Sequence, residues 1–354
     1  IGSSSLTDAR GVIDRAVIAD LCSQIAALRR DSHQVILVSS GAVAAGVAAL
    51  GLAERPSEVR TLQALAAAGQ SRLMEVYNAE FARHGLVAAQ VLMVPHDFVD
   101  RQQYLHARET LECLLELGCV PVVNENDTIA NDEIRFGDND HISALLSHLQ
   151  RADLLILLTD IDGLYTSDPR VDADARLVQE VAAGDPLLAV SAGATGSNRG
   201  SGGMASKLSA ARIASWSGVR AVIARATIPD VVRRVVGGER IGTTFQGSDR
   251  HLSSRQLWIA FASEVAGRVV VDSGAATAVA KGTGSLLPAG VVRVEGEFEA
   301  GDTIDIGTDD GRVVARGTAS MSAAQARAAA GRRSADLDDG APHLVVHRDA
   351  LVVL

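Results

Sequence analysis

Short apolar runs, each cut off by small or polar residues and each followed by a stretch in helical period, recur as far as residue 236. They are residues 35–38 (VILV), 86–94, 120–123 (VPVV), 154–158 (LLILL) and 220–224. A run without polar alternation is what a strand covered on both faces requires, and such strands belong to parallel sheets. Between the runs, Val12, Ile13, Val17, Leu21, Ile25 and Leu28 recur at helical spacing. Further helical stretches read over residues 56–84, 101–117 with Gly118 as the stop, and 204–216. The alternation specifies an α/β fold: an open, mostly parallel sheet sandwiched by helices.

The pattern changes after a polar segment at 246–256 (QGSDRHLSSRQ). Beyond it, short β-type runs punctuated by glycine occupy 268–272, 291–295, 303–306, 312–317 and 344–347, which reads as a small β-rich domain of barrel type. The expected division is 1–250 for the first domain, 251–266 for a linker and 267–354 for the second. A chain of 354 residues exceeds one ordinary core. Aromatics are 3%, so Ala, Val and Leu must do the packing. The net charge of −10 argues against a protein held to nucleic acid by a basic field. Cys22, Cys113 and Cys119 have no metal-ligand spacing; Cys22 and Cys113 read as core thiols of a reducing cytosol. No apolar run approaches the roughly 18 residues of a membrane helix, and no basic-then-apolar leader is present. Residues 1–5 (IGSSS) read as the end of a first strand and its loop, whose beginning is missing.

The densest chemistry lies at 120–140, VPVVNENDTIANDEIRFGDND. An apolar strand breaks into Asn124-Glu125-Asn126-Asp127, and Gly137-Asp138-Asn139-Asp140 opens the next helix. Ligands of open α/β sheets bind beyond the carboxyl ends of strands. Either cluster alone reads better as a solvated loop of Asx turns, and it is the two flanking one loop, with phosphate signals elsewhere, that favour a ligand site. Small hydroxyl and glycine residues also sit where strand meets helix at 2–5 and at Ser39-Ser40-Gly41-Ala42, where backbone N–H groups can meet an anion or simply be capped. Thr159-Asp160 closes the fourth run. The loop 196–207 (GSNRGSGGMASK) ends in a helix whose first turns carry Lys207, a cation suited to phosphoryl charge, although glycine-rich loops are common. The first loop lacks the GKS or GKT of a Walker motif, His96, His106 and His141 form no metal triad by spacing, and no nucleophile elbow is present.

Taken in order, IGSSSLT, LVSSGAVAAG, the 120–140 block, LLTDIDGLYTSDPR and GSGGMASK closely resemble the glutamate 5-kinases of the amino acid kinase family. The segments VDSGAATAVAKGTGSLLPAGV, GEFEAGDTIDI and HLVVHRDAL resemble the PUA domain that follows in that family. The resemblance implies ATP-dependent phosphorylation of the γ-carboxylate of L-glutamate, at the entry to proline synthesis. It places Ser40, Gly41, Asp127, Asp138 and Asn139 on glutamate. It places Gly2, Ser3, Thr159, Asp160, Ser201, Gly202, Gly203, Met204, Ala205, Ser206 and Lys207 on ATP. Lys207 would neutralise the moving phosphoryl group and Asp140 would orient the catalytic lysines. Mg²⁺ is expected on the ATP phosphates with no protein ligand set.

The family also carries a lysine on the first strand, before the IGSS-like loop. This sequence begins at Ile1, and truncation of the sequence is the expectation. A chain truly lacking that lysine would lose roughly 3–4 kcal/mol of transition-state stabilisation. The resemblance further implies a cytoplasmic homo-oligomer and feedback inhibition by proline acting through the loop at 128–136. Two other readings remain open from sequence: another acceptor within the family, such as aspartate or a carbamate-like group, and an RNA-binding protein acting through its PUA module. The module holds 12 acidic and 9 basic residues over 268–354, a poor charge balance for RNA.

Overall fold

Each apolar run forms a strand, and each periodic stretch between them forms a helix. The structure, a computed structural model, describes residues 1–8, 12–98, 100–130, 138–169, 171–185, 202–248, 252–262, 265–282, 284–333 and 343–354. It divides into two units, Ile1–His251 and Leu252–Leu354.

The first unit begins α1 (Ser3–Leu6), α2 (Arg15–Arg30), β1 (Leu37–Val38), α3 (Ala42–Ala49), α4 (Val59–Ala82), β2 (Ala88–Met93), α5 (Arg101–Glu116) and β3 (Val120–Glu125). It continues α6 (Asp138–Leu149), β4 (Leu154–Thr159), β5 (Glu180–Val181), α7 (Gly202–Trp216), β6 (Arg220–Arg225), α8 (Val231–Val236) and β7 (Thr243–Phe245). The strands pair in two ladders. One is all-parallel, in the order β1-β3-β2; the other runs β4-β6-β7-β5. In the second, β7 is antiparallel to β6. The short helix α8 and its flanking turns lie between them. At Gly242 (φ +69°) a Cβ would stand 2.0 Å from the Ile223 carbonyl oxygen, so the return needs a glycine.

One core joins both ladders. Leu37, Val120 and Val122 from the first cluster with Leu158, Val222 and Ala224 from the second, under Ile18, Leu21 and Ile25 of α2 and Leu73, Tyr77 and Phe81 of α4. Each such large side chain contributes about 1.5–3 kcal/mol by leaving water. Asp14 caps α2 by accepting from the N–H groups of Ala16 and Val17, which fixes where that helix enters the core.

The segment expected as a strand end and loop is tighter than its sequence suggests. The Ile1 nitrogen donates to the Val38 carbonyl (2.8 Å) and the Ser40 N–H donates to the Ile1 carbonyl (3.1 Å), so Ile1 runs beside the end of β1. Residues 3–6 then wind into a single helical turn, closed by Ser5 N–H on the Gly2 carbonyl.

In the second unit, α9 (Ser254–Leu257) runs into a π-helical turn (Trp258–Ala262), followed by β8 (Val265–Val271), α10 (Ser273–Ala280), β9 (Val291–Gly296), β10 (Thr303–Gly307), β11 (Val313–Ala319), α11 (Ala323–Ala329) and β12 (Val346–Val353). The strands pair in the order β12-β11-β10-β8-β9, and among the described residues no ladder closes this five-stranded sheet into a barrel. Of the stretch 251–266, expected as a linker, residues 254–262 are helical and Val265 opens a strand. Leu257 and Ile259 are buried, and Arg316 donates to the Ala260 carbonyl (2.8 Å) while pairing with Asp305 (2.7 Å). Apolar residues inside a polar-looking segment explain the difference.

Two expectations follow from the packing. The helices α3 and α4 touch backbone to backbone: a Cβ on Gly46 would stand 2.0 Å from the Leu65 carbonyl oxygen, and one on Gly69 would stand 1.9 Å from that of Ala42. Gly69→Ala should therefore destabilise the protein by about 3 kcal/mol, at the upper end of overpacking costs, and thermal unfolding should show it as a drop of several degrees. The second concerns His141 on α6, whose imidazole is pushed down to about 4 by burial. Below pH 6.5 the unfolded chain takes up a proton that the folded chain refuses, so stability is full above about pH 6.5 and declines towards pH 4. The residue retains some exposed surface, so the loss is at most roughly 3 kcal/mol. A plot of Tm against pH should be flatter over that window in His141→Gln.

Candidate active site

The carboxyl ends of β1 and β3 lie side by side, with Leu37 opposite Val122 and Val38 opposite Val123, so the residues after each strand meet. Ser39 N–H extends the ladder to the Val123 carbonyl (2.8 Å), and its hydroxyl pairs with the Tyr77 hydroxyl of α4 (2.7 Å). Burial pushes the Tyr77 phenol well above its ordinary range. This bond holds the Ser39-Ser40 turn against the core. Gly41 follows as the N-cap of α3 at φ +109°, a conformation only glycine adopts without strain.

The first turn of α6 brings in Asn139 and Asp140. The Asn139 Nδ2 donates to Ser40 Oγ (3.0 Å) and to Asn124 Oδ1 (2.9 Å), while its Oδ1 accepts from Glu125 N–H (3.0 Å). Asn124, 1% exposed, in turn donates from Nδ2 to Gln70 Oε1 of α4 (2.8 Å). One polar chain thus runs from α4 through the end of β3 to the serine after β1.

Asp140, one residue on, faces α7. Its carboxylate accepts from Lys207 Nζ at 3.0 and 3.2 Å and from Ser206 Oγ at 2.6 Å. Lys207 is 7% exposed. Removing Asp140 would leave a buried ammonium without its counter-charge, typically a loss of about 3–5 kcal/mol. The carboxylate also sits in the first turn of α6, where the helix dipole favours negative charge. A Cβ built on Gly2 would lie 3.9 Å from Lys207 Nζ, so the first loop and the start of α7 meet at this ammonium.

The structure therefore brings Gly2, Ser40, Asn139, Asp140, Ser206 and Lys207 together through successive contacts. Asp127 sits partly buried in the turn after β3, which Ile129 and Ala130 N–H close onto the Asn126 carbonyl. Thr159 is buried at the end of β4 and its hydroxyl donates to the exposed Asp160 (3.1 Å). Gly202, Gly203 and Ala205 lie in the first turn of α7 with Met204, whose side chain is buried; Ser3 starts α1. Ser201 and the Asp138 side chain lie outside the described residues. Just past that same end of β4, Arg225 holds Asp162 (2.7 Å), which also accepts from the Tyr165 hydroxyl (2.9 Å).

Sequence reasoning passed over Asn124, Gln70 and Tyr77. Asn124 belonged to the quoted block but was overshadowed by its ionisable neighbours. Gln70 and Tyr77 carry a weaker signal: polar atoms on the buried stripe of α4, among Leu62, Leu65, Ala66 and Leu73. Among the described residues no cluster of His, Cys, Asp and Glu suits a metal ion, and no helix is long and apolar enough to cross a membrane.

Comparison with known proteins places this arrangement. Residues 1–225 match the profile of the amino acid kinase family and residues 267–341 that of the PUA domain. The glutamate 5-kinase of Ralstonia nicotianae is 48% identical over 358 aligned positions, covering all of this chain and 96% of that protein. Those of Ralstonia pickettii and Cupriavidus metallidurans are 47% and 45% identical, each with 96% of the relative covered. A profile spanning well over half the chain, with near-complete relatives at this identity, shows that the chain belongs to the amino acid kinase family and carries a PUA domain after it.

Proposed function

We propose that this chain catalyses the glutamate 5-kinase reaction, transferring the terminal phosphoryl group of ATP to the γ-carboxylate of L-glutamate. A γ-carboxylate oxygen attacks the γ-phosphorus, the bond to the β,γ-bridging oxygen breaks, and ADP leaves; the product is γ-glutamyl phosphate. The acceptor is already ionised near neutral pH, so no general base is needed. What the site must do is align two anions and offset their repulsion.

The observation that carries this reading is the buried Lys207–Asp140 pair standing one residue from the Asn139–Ser40 bond. The first offers an oriented ammonium to the phosphoryl group. The second offers amide and hydroxyl groups to a carboxylate. Asp127, Asp138 and the Gly41 turn complete the acceptor side, the two carboxylates suiting an α-ammonium group. Gly2, Ser3, Thr159, Asp160 and residues 201–207 complete the nucleotide side. Mg²⁺, if it comes with the nucleotide, would be held by the ATP phosphates rather than by protein ligands and would supply charge neutralisation there.

Two regulatory features belong to the same reading. Proline competes with glutamate for the acceptor site, acting through the loop at 128–136; within its described start, Gln63 of α4 donates to the Ala130 carbonyl (3.2 Å). The chain works as a cytoplasmic homo-oligomer, and its acidic PUA domain does not bind RNA.

The direct test is ADP release and hydroxamate trapping with ATP and a panel of acids, on this chain and on one extended by the family's first strand. Glutamate should be the preferred acceptor; faster turnover of aspartate would sink the assignment. Lys207→Met should lower kcat by about 10²–10³, the effect of one preorganised charge contact, with KM for glutamate changed little. Proline should raise the apparent KM for glutamate without changing the maximal rate.

A further inference from the structure

The hydrogen bonds around Asn139 share one direction, and a backbone group sets it. Glu125 N–H can only donate, and it donates to both Asn139 Oδ1 (3.0 Å) and Asn124 Oδ1 (2.9 Å). Both amides therefore carry their oxygens towards Glu125 and their nitrogens away. Asn139 Nδ2 then reaches Ser40 Oγ, and Asn124 Nδ2 must find an acceptor inside the protein. Gln70 Oε1 supplies it at 2.8 Å. Gln70 is 8% exposed, and its own Nε2 has no hydrogen-bond partner among the described residues. Its neighbours on that stripe of α4 are apolar.

A buried amide with an unsatisfied donor is a poor way to fill space, and a methionine or leucine would pack there without that penalty. The position makes sense if the acceptor atom is what matters. We propose that Gln70 is a positioning residue for the acceptor site: by accepting from Asn124 it locks the orientation of Asn124, and through it that of Asn139 and Ser40. Without the acceptor, Asn124 Nδ2 is buried and unpaired. The side chain relieves this by rotating, and that rotation withdraws its Oδ1 from Asn139. Shifts of about 1 Å in a positioning group are enough to cost around 10²-fold in turnover efficiency. The inference rests on the acceptor reading given above but concerns a residue on a different element, behind the site.

Two variants of similar volume separate positioning from packing. Gln70→Met removes the acceptor and keeps the bulk. Gln70→Glu keeps a carbonyl acceptor for Asn124. In steady-state assays Gln70→Met should raise KM for glutamate at least about tenfold with KM for ATP within about twofold of the parent, while Gln70→Glu stays within about threefold for both. Thermal unfolding should show Gln70→Met no less stable than the parent by more than a few degrees. Equal rises in both KM values together with a large fall in Tm would mean a packing role and overturn the proposal. So would a Gln70→Met enzyme with unchanged glutamate KM, or a Gln70→Glu enzyme as impaired as Gln70→Met. If the parent phosphorylates a different acid, the reading of the acceptor fails while the same split, measured on that acid, still decides the role of Gln70.

Discussion

The buried ion pair between Lys207 and Asp140 ties together two distant stretches of the first unit. A lysine this far from water is tolerable only with a counter-charge and further hydrogen bonds. Asp140 accepts two contacts from the ammonium, and Ser206 donates a third to Oδ2. The carboxylate also lies at the positive end of α6. These terms are met only if the first turns of α6 and α7 face each other, although 66 residues separate Ser206 from Asp140. The two helices pack on each other, and each brings buried apolar residues, Ile142 and Leu146 on one, Met204, Ala210 and Ala211 on the other. The core and the charge pair thus specify the same geometry.

Much of this architecture was legible because parallel strands leave an unmistakable trace. The run VPVV has no polar alternation, and every residue of β3 is buried. The helix after β1 could be read from its run of alanines and the glycine that opens it. What could not be read was pairing. Nothing in 154–158 says that it lies beside 220–225 rather than beside 120–125, since each is an apolar run equally able to join any neighbour. The antiparallel return of β7 was equally hidden, because it depends on Gly242 passing against the Ile223 carbonyl, a contact between distant residues. In the second unit, Leu257 and Ile259 were masked by the polar residues around them.

The site divides along the same line. Ser40, Asn139, Asp140 and Lys207 declared themselves because polar residues concentrated at strand ends and helix starts need a reason to be there. Gln70 did not, because one amide in a long amphipathic helix is indistinguishable from a residue on its solvent face until the partner across the core is known. Tyr77 illustrates the same limit. It looks like a core aromatic, and it is one, fully buried and stacked near Phe81 (centroids 6.3 Å apart), yet its hydroxyl also fixes Ser39. Side chains acting through another residue carry no local signature.

Net charge bears on how such a site can work. The chain carries −10 overall, so its long-range field opposes ATP and glutamate alike. At physiological salt that field decays over about 8 Å, which leaves the decision to groups within the cleft. Lys207 paired with Asp140 is neutral as a unit, so an approaching phosphate would meet an oriented dipole rather than a free cation, beside the N–H groups that open α7. An arrangement of this kind discriminates by geometry more than by total charge. It attracts an anion that arrives at the ammonium side and repels one that reaches the carboxylate. The three contacts on Asp140 hold its carboxylate in place, and a carboxylate free to swing would weaken whatever attraction the ammonium has for an anion.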